Sequence, residues 1–218
     1  AMEIKTVGVV GLGALGLMYG EHIQNAIGRE NICFAMDKER YERHSKDTYT
    51  VNGKEIDFNL IDCTDAKPTD LLIVAVKYNS LDSALDTMKK LIGEHTIIIS
   101  SEEIISARYP HKTVIPCVAI GMDAMRSGTE LSYVNKGLLQ VGITDEKMRP
   151  SLKAVDAFLT KTGIPHTVES DIMHAMWNKF MINVGINQAC MIYDSPYGGI
   201  MSSPEKRASL TRAMREVI

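Results

Sequence analysis

The chain has 218 residues, with 24 Lys and Arg against 27 Asp and Glu, for a formal net charge of −3. That balance excludes the basic footprint of a nucleic-acid binder, and one Trp among 6% aromatic residues excludes stacking platforms for bases. With 45% apolar and 23% charged residues, the composition is that of a globular chain able to bury a core, as one large domain or two small ones.

Residues 4–11 are a short, apolar, β-rich run that suits a central parallel strand buried on both faces. Gly11-Leu12-Gly13-Ala14-Leu15-Gly16 follows at once, and residues 17–27 read as a helix. A second strand is predicted over 31–36 and a charged helix over 38–46. Residues 49–60, centred on Asn52-Gly53, read as a hairpin between two short strands. Residues 71–76 form another buried strand, and apolar residues at 81, 84, 85, 88, 91 and 92 predict a helix over 81–91. Strands follow at 96–99 and 114–119, and the looser alternation over 130–144 adds one or two more. Residues 147–162 are amphipathic and helical. This strand–helix rhythm argues for an α/β fold, a Rossmann-like doubly wound parallel sheet.

After Gly163-Ile164-Pro165 the composition changes, and six of the 13 Met residues fall between Met173 and Met214. We place a boundary near residue 168: a sheet domain over 1–168 and the start of an all-helical domain over 169–218. Its methionines suit an irregular helical core and equally a subunit interface in a homodimer. Tyr193-Asp194-Ser195-Pro196-Tyr197-Gly198-Gly199 reads as a loop breaking the helices. No apolar run approaches the ~20 residues that span a bilayer, and the start lacks the layout of a signal peptide. Ala1 ahead of Met2 reads as a remnant of cloning. Cys33, Cys63, Cys117 and Cys190 lie far apart, as expected of buried reduced thiols in a cytoplasmic protein. The six histidines include no HxxxH pair, so no metal site is expected.

The glycines at 11, 13 and 16 follow a strand, open a helix and are followed by Asp37, 21 positions after Gly16. In that context Gly11 permits a tight turn, Gly13 lets backbone approach a pyrophosphate, and Gly16 allows close helix–strand packing. The amides and positive dipole end of the helix favour phosphate, so a dinucleotide site is expected over Gly11, Leu12, Gly13, Ala14, Leu15 and Gly16. Asp37 suits a ribose 2′-hydroxyl and hence NADH, whereas Lys38, Arg40 and Arg43 directly after it suit the 2′-phosphate of NADPH. A solvated helix face explains those cations equally well.

Lys179, Asn183 and Asn187 fall at i, i+4 and i+8, a single polar stripe if the segment is helical. Phe180, Met181, Ile182, Val184 and Ile186 around them predict a largely buried helix. A lysine there is costly to desolvate unless it faces a cleft with polar company, which two amides provide.

The glycine stretch, Trp177-Asn178-Lys179, the Lys179-x-x-x-Asn183-x-x-x-Asn187 spacing, Val76-Lys77 and the Asn52-Gly53 segment together resemble the ketopantoate reductase (2-dehydropantoate 2-reductase) family over essentially the whole chain. The resemblance implies NADPH-dependent reduction of ketopantoate to pantoate, towards pantothenate and coenzyme A. It makes Lys179 the general acid, gives Asn183 and Asn187 the substrate, a small 2-keto acid, and puts Lys77 near cofactor or substrate. The chemistry agrees, because a ketone gaining hydride needs a proton donor and a cation near its oxygen.

Three features depart from the family. Ile99-Ser100-Ser101-Glu102-Glu103 runs straight from strand to helix where members carry an Asn-Gly loop, so a few residues are expected to be absent after Ser100; as written, Ser100 and Glu103 would form a capping box. The chain stops at Ile218 in mid-helix, whereas the family implies further helices with an acidic substrate residue. Asp37 stands where many members carry a cation. Two other readings stay open: reduction of a related 2-oxo acid, and a non-catalytic cofactor-sensing module, which would have no use for Lys179.

Overall fold

The computed structural model describes residues 2–76, 81–101 and 104–216, in two compact units, Ala1–Ile172 and Met173–Ile218. In the first unit the chain runs β1 (Val7–Val10), α1 (Ala14–Ile27), β2 (Ile32–Met36), α2 (Lys38–His44), β3 (Tyr49–Val51), β4 (Lys54–Ile56), β5 (Leu60–Asp62) and β6 (Thr69–Val74). It continues through α3 (Leu81–Thr87), β7 (Ile92–Ser100), α4 (Ile104–Arg108), β8 (Thr113–Ile120), β9 (Met125–Ser127), β10 (Glu130–Ser132), β11 (Leu138–Val141), α5 (Arg149–Thr162) and β12 (His166–Val168).

Among the described residues, eight strands form one sheet in the order β12-β11-β8-β7-β6-β1-β2-β5. Its centre is parallel, as the apolar runs predict, because each central strand is buried on both faces. Val7 and Val9, Leu71, and Ile97 and Ile99 pack with α1 and α5 on one side. The alternate residues Val10, Leu72, Val74 and Ile98 pack with Leu81, Leu85 and Ile105 on the other. The sheet is not parallel throughout: β11 runs antiparallel to β8, with Leu139 opposite Ala119. The strand β12, not anticipated from the sequence, pairs with β11.

The start of β1 is tied to β6 by a reciprocal pair. Asp70 Oδ2 accepts the Lys5 and Thr6 amides, each at 2.9 Å, and the Thr6 hydroxyl at 3.0 Å; the Asp70 amide donates back to Thr6 Oγ1 at 3.0 Å. Burial pushes the Asp70 carboxyl upward, but these hydrogen bonds and the nearby Lys5 outweigh it and hold the group below its ordinary value.

The expected hairpin forms, with Asn52 at φ +50° and Gly53 at φ +77° turning β3 into β4. It joins a separate four-stranded sheet, ordered β4-β3-β10-β9. There β10 lies parallel to β3, and the Asn52 side chain accepts the Tyr133 amide at 2.8 Å. Residue 60 belongs instead to β5 in the main sheet.

The second unit holds most of α6 (Ile172–Tyr193), α7 (Tyr197–Ser202) and α8 (Pro204–Arg215). The connection after α6 is shorter than the predicted loop, since Tyr197 already starts α7 behind Pro196. Its core gathers Ala189, Ile200 and Leu210 with Ile186, Cys190 and Met214 alongside. The expectation of a largely buried α6 is corrected: Trp177 is 58%, Phe180 52% and Ile182 42% exposed. The cluster with α7 and α8 forms on the later turns of the helix, beyond these three residues. Among the described residues, no helix is long and apolar enough to cross a membrane.

Candidate functional site

The turn between β1 and α1 is shaped by two close approaches. Gly11 has φ +107°, and a Cβ there would lie 2.3 Å from the Ala75 carbonyl oxygen after β6. A Cβ at Gly16 would lie 1.9 Å from the Gly11 carbonyl oxygen. Only glycine fits at either place. At the head of α1 the capping residue is Gly13, and among the described residues no side chain accepts the first amides of the helix. Those donors and the positive end of the helix dipole are thus left for a ligand.

A cavity of about 320 Å³ opens over this turn. Gly11, Leu12 and Gly13 line it, together with Ala35 and Met36 at the end of β2 and Ala75 and Val76 after β6. Ser83, Ala84 and Thr87 of α3 form another wall. The polar remainder is Arg40 and His44 from α2, Tyr49 from β3 and Arg126 from β9. Three of these side chains are basic, and among the described residues no lining residue is acidic.

The other residues singled out by sequence lie as follows. Ala14, Leu15 and Gly16 form the first turn of α1 just outside the lining. Asp37 is outside it too: its Oδ1 accepts the Arg40 amide at 2.9 Å, which caps α2. Lys38 pairs with Glu42 at 3.9 Å, and Arg43 with Glu39 at 2.7 Å, on the solvated face of α2. Of the cations considered there, Arg40 alone reaches the cavity wall. Lys77 lies outside the described residues, as do Glu102 and Glu103 of the strand-to-helix connection.

Within the second unit, Lys179, Asn183 and Asn187 stand on successive turns of α6, with Lys179 half-buried and both asparagines exposed. The four cysteines are free and half-buried rather than buried. Burial pushes the Cys33 thiol up to about 11, so it is protonated at neutral pH and a poor nucleophile.

Tyr49, His44 and Arg126 were not anticipated. Tyr49 reads as an ordinary apolar strand residue, and His44 as part of a charged helix. Arg126 sits in a short strand whose three residues are all exposed, a pattern without a sequence signal.

Comparison with known proteins places these features in one family. The model described as ketopantoate reductase PanE/ApbA matches residues 7–146, which hold the glycine turn, and its C-terminal model matches 171–218, which hold the lysine stripe. The 2-dehydropantoate 2-reductase of Aquifex aeolicus is 22% identical over 156 residues, 68% of this chain and 50% of that protein. The chain thus spans about half the length of this curated relative. The crystal structure of 2-dehydropantoate 2-reductase from Geobacter metallireducens has a TM-score of 0.82 at 21% identity, covering 97% of this chain and 73% of the other. A D-mandelate dehydrogenase solved with NADH has a TM-score of 0.83 at 16% identity, covering 97% and 71%. With both family models matched along its length, the chain belongs to the ketopantoate reductase PanE/ApbA family.

Proposed function

We propose that the protein reduces ketopantoate to pantoate with NADPH, a step towards pantothenate and coenzyme A. One observation carries this reading: the glycine turn and the Lys179, Asn183, Asn187 stripe fall in the two family models matched by a single chain.

The cavity fits a nicotinamide dinucleotide. Its floor is a turn where a side chain at Gly11 would fill the space, and among the described residues its helix amides have no side-chain acceptor and its charged lining residues are basic. The backbone of Gly11, Leu12 and Gly13 holds the diphosphate. Arg40 on the cavity wall favours a 2′-phosphate, while the Asp37 carboxylate is engaged at the start of α2. When bound, the nicotinamide supplies the hydride. Lys179 carries a proton on Nζ and delivers it to the substrate's carbonyl oxygen, so that hydride and proton together give the alcohol. The Asn183 and Asn187 amides, each donor and acceptor, hold the hydroxyl and carboxylate of the substrate. By analogy with a ketopantoate reductase from Staphylococcus aureus described as dimeric, the working form is a homodimer.

A second reading keeps the chemistry and changes the substrate. The match to D-mandelate dehydrogenase favours a related 2-oxo acid, since fold and lysine constrain the reaction more than the substrate's side chain. The test is cofactor oxidation, followed by nicotinamide absorbance, with ketopantoate and other 2-oxo acids. Lys179→Ala should lower turnover by about 10²-fold or more, with cofactor affinity unchanged. An unchanged turnover removes Lys179 from the mechanism, and activity confined to another 2-oxo acid selects the second reading.

A further inference from the structure

Tyr49 is 2% exposed, and its hydroxyl makes no hydrogen bond among the described residues. Native proteins rarely leave a buried polar atom in that state, so its partner is to be sought in a ligand. The ring packs edge-on against Phe58 in the core, with centroids 5.7 Å apart. The hydroxyl feels the charges of Arg126 and Asp47, and Tyr49 and Arg126 line the same cavity. Burial pushes the phenol above its ordinary value, so at neutral pH it is a protonated donor.

Arg126 complements it. Its Nε donates to the Gly128 carbonyl at 2.8 Å, and Nη1 donates to the carbonyl of Leu12 in the glycine turn. Among the described residues the guanidinium has no carboxylate partner, and Nη2 keeps its two hydrogens unused. The second sheet thus brings a hydroxyl from β3 and a cation from β9 to the turn made by the main sheet. At neutral pH the guanidinium can only donate towards a ligand and the phenol has a hydrogen to donate, a pair that suits an anion.

We propose that Tyr49 and Arg126 form a two-donor clamp on the diphosphate of the dinucleotide. The assignment rests on the nicotinamide-dinucleotide reading above and goes beyond it. The clamp serves the part of the ligand that NADPH, NADH and ADP share, so it adds affinity without selecting among them.

The test is calorimetric titration of the protein with NADPH, NADH and ADP, alongside thermal unfolding without ligand. Tyr49→Phe keeps the ring and removes the unpaired oxygen, so unfolding should be unchanged or shifted upward. Its Kd for all three ligands should rise about 10-fold, the worth of one hydrogen bond to a charged group. Arg126→Gln, in an exposed strand, should give a similar uniform loss without touching the core. Wild-type Kd values in Tyr49→Phe overturn the clamp, and so does a loss confined to NADPH, which would move the pair to the 2′-phosphate. Wild-type protein that binds none of the three overturns the cofactor reading and the clamp with it.

Discussion

The Asp37 carboxylate and Arg40 are joined twice: Oδ1 accepts the Arg40 amide at 2.9 Å, and Oδ2 lies 3.5 Å from the Arg40 Nε. The acid that spacing assigns to a ribose therefore acts as a helix cap. Asp37→Ala should lower stability by about 1 kcal/mol, and Asp37→Ser, which can still cap, by less. Denaturant unfolding measures both. NADH affinity should be unaffected in either variant, and a loss in Asp37→Ser would return the carboxylate to the ribose.

Arg40 lines the cavity, whereas Lys38 and Arg43 are paired on the solvated side of α2. Arg40→Ala should weaken NADPH by about 10-fold or more, the value of a charge-assisted hydrogen bond, and leave NADH unaffected. Lys38→Ala and Arg43→Ala should alter neither, since exposed pairs contribute little. Fluorescence titration of the three variants with both cofactors separates these outcomes.

Gly16→Ala would set a methyl carbon 1.9 Å from the Gly11 carbonyl oxygen, a backbone atom rather than a yielding side-chain end. The expected cost is about 3 kcal/mol, at the upper end of overpacking, because relief requires α1 to move off β1. A large fall in melting temperature, with loss of dinucleotide binding, checks it.

The Asp70 clasp predicts an acid dependence. Its folded-state pKa is depressed, so the stabilisation is present above the unfolded value of about 3.9 and is lost as pH falls through the folded value. Asp70→Asn should therefore cost about 1–2 kcal/mol at neutral pH. The gap between variant and wild type should close below about pH 4. Denaturant midpoints measured across that range give the comparison.

The central sheet was legible because strands buried on both faces read as unbroken apolar runs, as in Val7–Val10 and residues 71–74. The strand β12 was not, since His166–Val168 is short and polar at the sheet edge. The glycine turn was legible because its residue type is dictated by backbone approach. At Asp37 the signal was ambiguous by nature, since a carboxylate after a strand suits a helix cap and a ribose equally. Tyr49 and Arg126 were illegible for another reason: what marks them, an unbonded hydroxyl on the first and a cavity shared by both, exists only once distant segments meet.

The pairing of Thr50 with Glu130 and of Val51 with Leu131 also bears on how the molecule matures. Most sheet neighbours are close in sequence, but this contact joins segments 80 residues apart, nearly half of the first unit. Closing so long a loop is entropically slow. During synthesis or refolding, the wall carrying Arg126 is therefore expected to dock after the central strands have assembled. Competence to bind cofactor should appear later than sheet formation, as a separate kinetic phase.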